Sequence, residues 1–274
     1  METEIKILDK GFVRLVDVLG SDELIVNAAR TSYKWKKKSM DEQLIDYLVR
    51  NEHSSPLEFG EFVFHVKVPI FVARQMFRHR TASVSEISAR YTVVEDEFYL
   101  PEYFRTQSTT NKQSSGETIE DKNLVNEYEE KVSSLYSYYQ FLLQNNVAKE
   151  MARMILPLSA YTQFYWKQDL RNLLHFIRLR ADYHAQLEIQ EVANAFSLFV
   201  KEKFPLTYAA FERNVLNAVK FTQEEISLLF DEVTISTLEE KVNNSSLKGS
   251  KLLEILKKLK KIKVISKGAD DGEK

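Results

Sequence analysis

The chain has 274 residues, 44% of them hydrophobic, which is enough to bury a sizeable core in one large domain or two small ones. A formal net charge of −2 argues against a general nucleic-acid binder, and no apolar stretch approaches the length that spans a bilayer. The absence of cysteine excludes disulfides, thiolate metal sites and a cysteine nucleophile. The opening METEIKIL lacks the basic-then-apolar layout of a signal peptide, so a cytoplasmic location is expected.

In chain order, residues 4–8 and 12–19 read as strands, with Gly11 and Gly20 as breaks. Ser21 caps a helix whose first turn holds Asp22 and Glu23, at the positive end of the helix dipole. Leu24, Val26, Ala28 and Ala29 are its apolar positions, and Ser32 falls near its end. Residues 41–49 form a second helix with Leu44, Ile45, Leu48 and Val49 on one face. Residues 51–59 follow as a loop holding His53, Ser55 and Glu58 around Pro56. Over 61–68, Phe62, Phe64, Val66 and Val68 alternate with Val63, His65 and Lys67, the period-two pattern of a strand with one buried face. Pro69 ends that strand and opens a short helix over 70–77, with Ile70, Ala73 and Phe77 inward.

Residues 78–91 read RHRTASVSEISARY, gathering three arginines, a histidine, three serines and a glutamate. Guanidinium forks and hydroxyls together suit a phosphate or carboxylate, and the alternative is a solvated charged turn. Arg74 and Arg78, four residues apart on one helix face, repel each other until an anion relieves them.

Beyond this cluster the chain turns polar over 100–120, and 107–116 reads as a surface loop. Residues 121–144 form a long helix with Leu124, Tyr128, Leu135, Tyr138 and Leu142 at helical spacing, and the tyrosines 136, 138 and 139 read as core or interface rather than a base-stacking platform. Arg153 sits on a helix that Pro157 ends, and an apolar helix begins at 166 and runs to 179. His175, Asp182 and His184 are metal-ligand types, but their spacing matches no metal motif, and none is expected. His184 and Glu188 read as sharing a helix face. In the tail, 222–225 resembles a capping box, 251–262 is basic and amphipathic, and 268–274 is expected to be disordered. Strands cluster early and helices dominate after Asp121, so the expected fold class is α+β, an antiparallel sheet covered by helices.

The pattern Arg-His-Arg, then Ser, then Glu-x-Ser-x-Arg-Tyr resembles the signature of flavin-dependent thymidylate synthases. The likeness extends to NEHSSPLEF at 51–59, RMILPL at 153–158 and LRADYHAQLEIQ at 179–190. The resemblance implies reductive methylation of dUMP to dTMP, with 5,10-methylenetetrahydrofolate as carbon donor and NADPH as reductant through FAD. It also implies a homotetramer with active sites at subunit interfaces and a catalytic domain over 1–220; the residues after it read as a helical, Lys-rich extension over 221–274, to which the resemblance gives no role. The missing cysteine agrees with a route that needs no protein thiolate on the uracil ring.

Carried over residue by residue, the resemblance assigns dUMP to Gln75, Arg78, Glu86, Ile87, Ser88, Ala89, Arg90, Arg153 and Arg180. FAD falls to Ser55, Glu58, Arg78, His79, Arg80, Asp169, Arg171, His175, Leu179 and His184. Arg180, His53 and Ser88 are implied in catalysis, Arg180 by polarising the uracil carbonyls and Ser88 by positioning, since no base is evident for a nucleophile. Asp169 and His175 depart from the Asn of relatives, and Ser85 from another Asn; an Asp beside a pyrophosphate would require a neutralising cation such as Arg171. No Gly-rich dinucleotide fingerprint marks an NADPH site. Rival readings are a nucleotide- or RNA-binding module without flavin and a flavin reductase that methylates nothing.

Overall fold

The structure, a computed structural model, describes residues 3–31, 40–109 and 115–266. They form two compact units, Met1–Asn217 and Ala218–Lys274. Ser32 and the 268–274 end lie outside the described residues.

In the first unit, β1 (Glu4–Ile7), β2 (Gly11–Leu19), β3 (Glu61–Pro69), β4 (Ser83–Glu86) and β7 (Tyr161–Asp169) make an antiparallel sheet in the order β1-β2-β3-β7-β4. β5 (Phe104–Gln107) and β6 (Ser115–Ile119) make a separate hairpin. The longest pairing is β3 with β7, in unbroken register from Glu61↔Asp169 to Pro69↔Tyr161. One face of that pair is the core: Phe62, Phe64, Val66, Val68, Phe164 and Trp166 are all buried. Helices α6 (Leu170–Arg180) and α7 (Leu187–Lys203) bring Phe176, Phe196 and Phe199 into the same core, with Phe64 stacked on Phe196 at 4.4 Å. On the other face His65 stacks on Tyr165, which stays 50% exposed.

Several expectations are corrected. The helix expected from Trp166 starts only at Leu170; before it, Phe164, Trp166 and Gln168 are buried while Tyr165 and Lys167 are exposed, a period-two strand rich in aromatics. A strand from the second half of the chain therefore sits inside the sheet, beside β3. The polar stretch read as a loop over 107–116 contributes to the β5–β6 hairpin, with 110–114 outside the described residues. In α1 (Asp22–Arg30) the buried residues are Ile25 and Val26. In α3 (Ile70–Met76) they are Val72, Ala73 and Met76, while Ile70 and Phe77 are half-buried.

Helix α4 (Lys122–Gln144) buries Val132, Tyr136 and Tyr139; of the expected stripe Tyr128 and Leu142 pack against the same core, while Leu124 and Tyr138 are exposed. The buried tyrosines are held by polar as well as apolar contacts. Tyr136 donates its hydroxyl to the Val94 carbonyl and Tyr139 Oη accepts from the Val94 amide, both at 3.1 Å. Arg153 follows α5 (Lys149–Ala152) in a 3₁₀ turn, Arg153–Ile155, rather than on a longer helix. His184 lies in the turn before α7 and shares no helix with Glu188.

The remaining elements brace the unit. α2 (Asp41–Arg50) buries Ile45, Leu48 and Val49, and its Asp46 accepts from Arg50, Arg213 and Asn214. A 3₁₀ segment, Ser55–Phe59, ends at Gly60, where a Cβ would lie 2.9 Å from the Phe204 ring and 3.0 Å from Leu170 Cβ. Only glycine lets that segment approach α6 so closely. Opposite, α8 (Pro205–Phe211) is capped from outside by Asp22, whose carboxylate accepts from the amides of Leu206 (2.8 Å) and Thr207 (3.0 Å) and from Thr207 Oγ1 (2.6 Å).

The second unit contains α9 (Gln223–Leu229), α10 (Glu232–Asn243) and α11 (Gly249–Ser266), packed around Ile235 and Leu259. The capping box is present, with Thr222 and Glu225 bonded reciprocally. Among the described residues no helix is long and apolar enough to cross a membrane. Replacing Asp22 by Ala removes the acceptor for the first-turn donors of α8 and should destabilise the fold by about 1–3 kcal/mol, read as a lowered denaturation midpoint with unchanged slope.

Candidate active site

The site begins with how α3 is held. Its first amides donate into the turn before β7, Ile70 to the Ala160 carbonyl (2.9 Å) and Phe71 to the Leu158 carbonyl (3.1 Å). With Val72, Ala73 and Met76 turned into the core, Arg74 is left facing outward; the helix ends at Met76, so Arg78 does not share its helix face as expected but stands exposed in the turn that follows. Neither they, nor Arg80, nor Arg153 makes an ion pair with any described residue.

His79 and Arg180 meet at the far ends of α3 and α6. Arg180 Nε donates to His79 Nε2 at 3.1 Å, and Arg180 Nη2 to the Gln75 carbonyl at 3.4 Å. An imidazole nitrogen that accepts must be unprotonated. Burial, then the charge of Arg180, then His175 push the His79 pKa down to about 4. Burial also lowers the Arg180 pKa, and His175 is lowered by burial and then by Arg178 and Arg171. The Gln75 amide donates to Gln186 Oε1 at 2.7 Å.

A second group lies along β4 and the chain after it. Thr162 Oγ1 donates to Glu86 Oε1 at 2.6 Å and the Ile87 amide to the Gln163 carbonyl at 2.9 Å, fixing the start of the loop on β7. Ser88 Oγ accepts from the Arg90 amide, and its carbonyl from Tyr91 and Thr92, so Ser88 organises a turn. Arg90 stands 3.6 Å from Glu150 and over the Tyr91 ring. Glu86, Ile87, Ala89 and Arg153 line one cleft of about 600 Å³, and Arg74 lines it too. Gln75, Arg78 and Arg180 lie outside that lining.

The third group runs along α6. Asp169 caps the helix, accepting from the amide (2.9 Å) and side chain (2.7 Å) of Asn172. The expected neutralisation of Asp169 by Arg171 does not occur; Arg171 pairs with Glu58 at 2.7 Å, tying the helix to the segment that starts at Ser55. His53 packs edge-on against Tyr47. His184 Nδ1 lies 2.6 Å from Asp182 and His175 bonds Arg178, and among the described residues no group of three or more His, Cys, Asp or Glu could hold a metal ion.

The layout suits FAD. Arg171, His175 and Leu179 are exposed at i, i+4 and i+8, a stripe of roughly 12 Å along one helix face. Cations stand at both ends, and His79, between Arg78 and Arg80 in sequence, neither with an ion-pair partner among the described residues, is 6.1 Å from His175 at the middle. An elongated ligand with a central diphosphate matches such a row. Residues missed by sequence reasoning are Gln186, Thr162 and, as a lining residue, Arg74. The repulsion between Arg74 and Arg78 was the one signal in the sequence.

A mixed α and β fold with an antiparallel sheet, carrying arginine-rich groups on a cleft and on a helix face, is suited to binding small anions. A family model described as "Thymidylate synthase complementing protein" matches residues 14–206. The flavin-dependent thymidylate synthase of a Thermus thermophilus strain is 49% identical over 257 residues, 93% of this chain and 95% of that protein. That of Treponema denticola is 45% identical over 268 residues, 95% and 98% of the two chains. The crystal structure of the UMP/dUMP methylase PolB from Streptomyces cacaoi, bound with 5-Br dUMP, superposes with a TM-score of 0.70 at 33% identity, covering 77% of this chain and 99% of that one. The chain belongs to the flavin-dependent thymidylate synthase family.

Because the folded pKa of His79 is depressed, the unfolded chain takes up the extra proton first on acidification. Its contribution is complete above pH 6.5 and is lost as pH falls toward about 4. An NMR titration of the His79 ring should show a midpoint near 4, and His79→Gln should flatten that part of the stability profile.

Proposed function

We propose that the chain catalyses the reductive methylation of dUMP to dTMP, taking a methylene from 5,10-methylenetetrahydrofolate and reducing equivalents from NADPH through FAD. The observation that carries this reading is the cleft where Glu86, Ile87, Ala89 and Arg153 of the family motifs meet, with the Arg153 guanidinium in no ion pair with a described residue. Cysteine is absent, so no thiolate can add to the pyrimidine.

In this reading Ser88, Arg90 and Arg153 hold the nucleotide phosphate and sugar, and Glu86 with the backbone at Ile87 and Ala89 orients it. Gln75 contacts it from α3 and Arg78 from the turn that follows. Arg180 donates to the uracil carbonyls and stabilises charge developing in the ring; its Nε is committed to His79, so the guanidinium is oriented before substrate arrives. Ser88 positions through its turn rather than attacking. Ser55, Glu58, Arg78, His79, Arg80, Asp169, Arg171, His175, Leu179 and His184 would hold FAD, with His53 beside the folate. FAD bound there supplies the hydride chemistry. Asp169 would act through its cap on α6, since both carboxylate oxygens are engaged by Asn172.

The active form in this reading is a cytoplasmic homotetramer with the site shared between subunits. Support comes from Gln75, Arg78 and Arg180 lying outside the cleft that holds the other nucleotide residues, and from the half-exposed Tyr165 on the open sheet face. The catalytic domain spans 1–220 and the helical extension 221–274. Tritium release from deoxyuridylate labelled at carbon 5 should require FAD, NADPH and methylenetetrahydrofolate together. NADPH oxidation without tritium release would make the protein a flavin reductase instead.

A further inference from the structure

We propose that Arg74 is a further phosphate ligand: with Arg153, which lines the same cleft, it takes the 5′-phosphate of the pyrimidine nucleotide and sets the preference for nucleotide over nucleoside. The inference rests on the function proposed above and adds a residue to it.

Four observations converge. Arg74 is exposed on α3, and it lines the cleft of about 600 Å³ together with Arg153, Glu86 and Ile87. Neither guanidinium forms an ion pair with a described residue. Carboxylates are not lacking, because Glu86, Glu95 and Glu97 line the same cleft. They are engaged elsewhere in two cases: Glu86 accepts from Thr162, and Glu97 pairs with Lys67 at 2.6 Å. The cleft thus neutralises one of its cations internally and leaves two arginines with open forks.

Geometry keeps Arg74 in this state. The α3 N-terminus is bonded to the carbonyls of Ala160 and Leu158, and Ala160 and Leu158 also line the cleft. The helix face that carries Arg74 is therefore fixed to the cleft wall. Arg78 stands exposed in the turn just beyond the end of α3, also without an ion-pair partner among the described residues. A dianion between Arg74 and Arg153 fills both forks. The apolar lining by Ile70, Phe77, Val94 and Leu156 suits the uncharged part of the same molecule. A monoester phosphate on a planar base has this division of charge and apolar surface.

The test compares wild type with Arg74→Gln and Arg74→Lys as FAD-loaded full chains, using tritium release for kinetics and calorimetry for dUMP and deoxyuridine binding. Loss of a charge-assisted pair should raise the KM and Kd for dUMP about 10- to 100-fold in Arg74→Gln, with kcat falling far less. Arg74→Lys should recover part of the loss, and the weak affinity for deoxyuridine should not move. Unchanged dUMP affinity in Arg74→Gln overturns the inference. So does an equal loss against deoxyuridine, or a rise in the KM for methylenetetrahydrofolate in place of dUMP, which would assign Arg74 to the folate carboxylates. If wild type neither binds dUMP nor releases tritium, the function proposed above has failed. Active wild type with an unaffected Arg74→Gln sinks only this inference.

Discussion

The nine-position pairing of β3 with β7 governs where everything chemical ends up. Each strand runs directly into a helix, β3 into α3 through Pro69 and β7 into α6 through Asp169, and because the strands are antiparallel the helices start at opposite ends of the pair. Each start is pinned by the other strand's neighbourhood: Ile70 bonds Ala160, and the Leu170 amide bonds Gly60. The helices then return along the sheet until His79 meets Arg180 and Phe176. A one-residue slip of either strand would turn its apolar set outward, Phe62 and Phe64 in β3 or Phe164 and Trp166 in β7. It would also separate a histidine and an arginine that are far apart in sequence.

The arginines follow a different logic from the core. Elsewhere in the same unit cations are matched, as in the Asp46 hub with Arg50 and Arg213 or the Lys67–Glu97 pair. Around α3, Arg74, Arg78 and Arg153 have no ion-pair partner among the described residues. That is tolerated because α3 is fixed by its apolar face and its first amides. Stability is supplied on one side of the helix and ligand affinity on the other.

Much of this was legible in the sequence. The alternation in 61–68 gave β3 because one of its faces is wholly apolar and the other is not, and Ser21 and Thr222 announced their helices by local capping chemistry that needs no tertiary partner. β7 was misread because Trp166 stands at helical spacing from Leu170, Leu173, Leu174 and Ile177, so the 3.6-residue period of the helix extends back into the strand and hides its period-two alternation. On α4, Tyr136 and Tyr139 are buried as read, but Tyr138 and Leu124 are exposed, because the buried tyrosines are chosen by a backbone partner, Val94, that no periodicity reports. In the site, the motif residues were legible as types, but their grouping was not. Gln186 and Thr162 act through single hydrogen bonds to Gln75 and Glu86, and such partners leave no pattern along the chain.

The two tyrosine bonds to Val94 have a consequence for the loop that enters the cleft. At its start Glu86 and Ile87 are fastened to β7, and at its finish Val94 is held by Tyr136 and Tyr139 from the buried side of α4. Residues 88–93 therefore form a short span clamped at both ends, like a strap rather than a flap. Closing such a strap over a ligand freezes few backbone torsions, so the conformational entropy surrendered on binding is small compared with that of a free-ended lid.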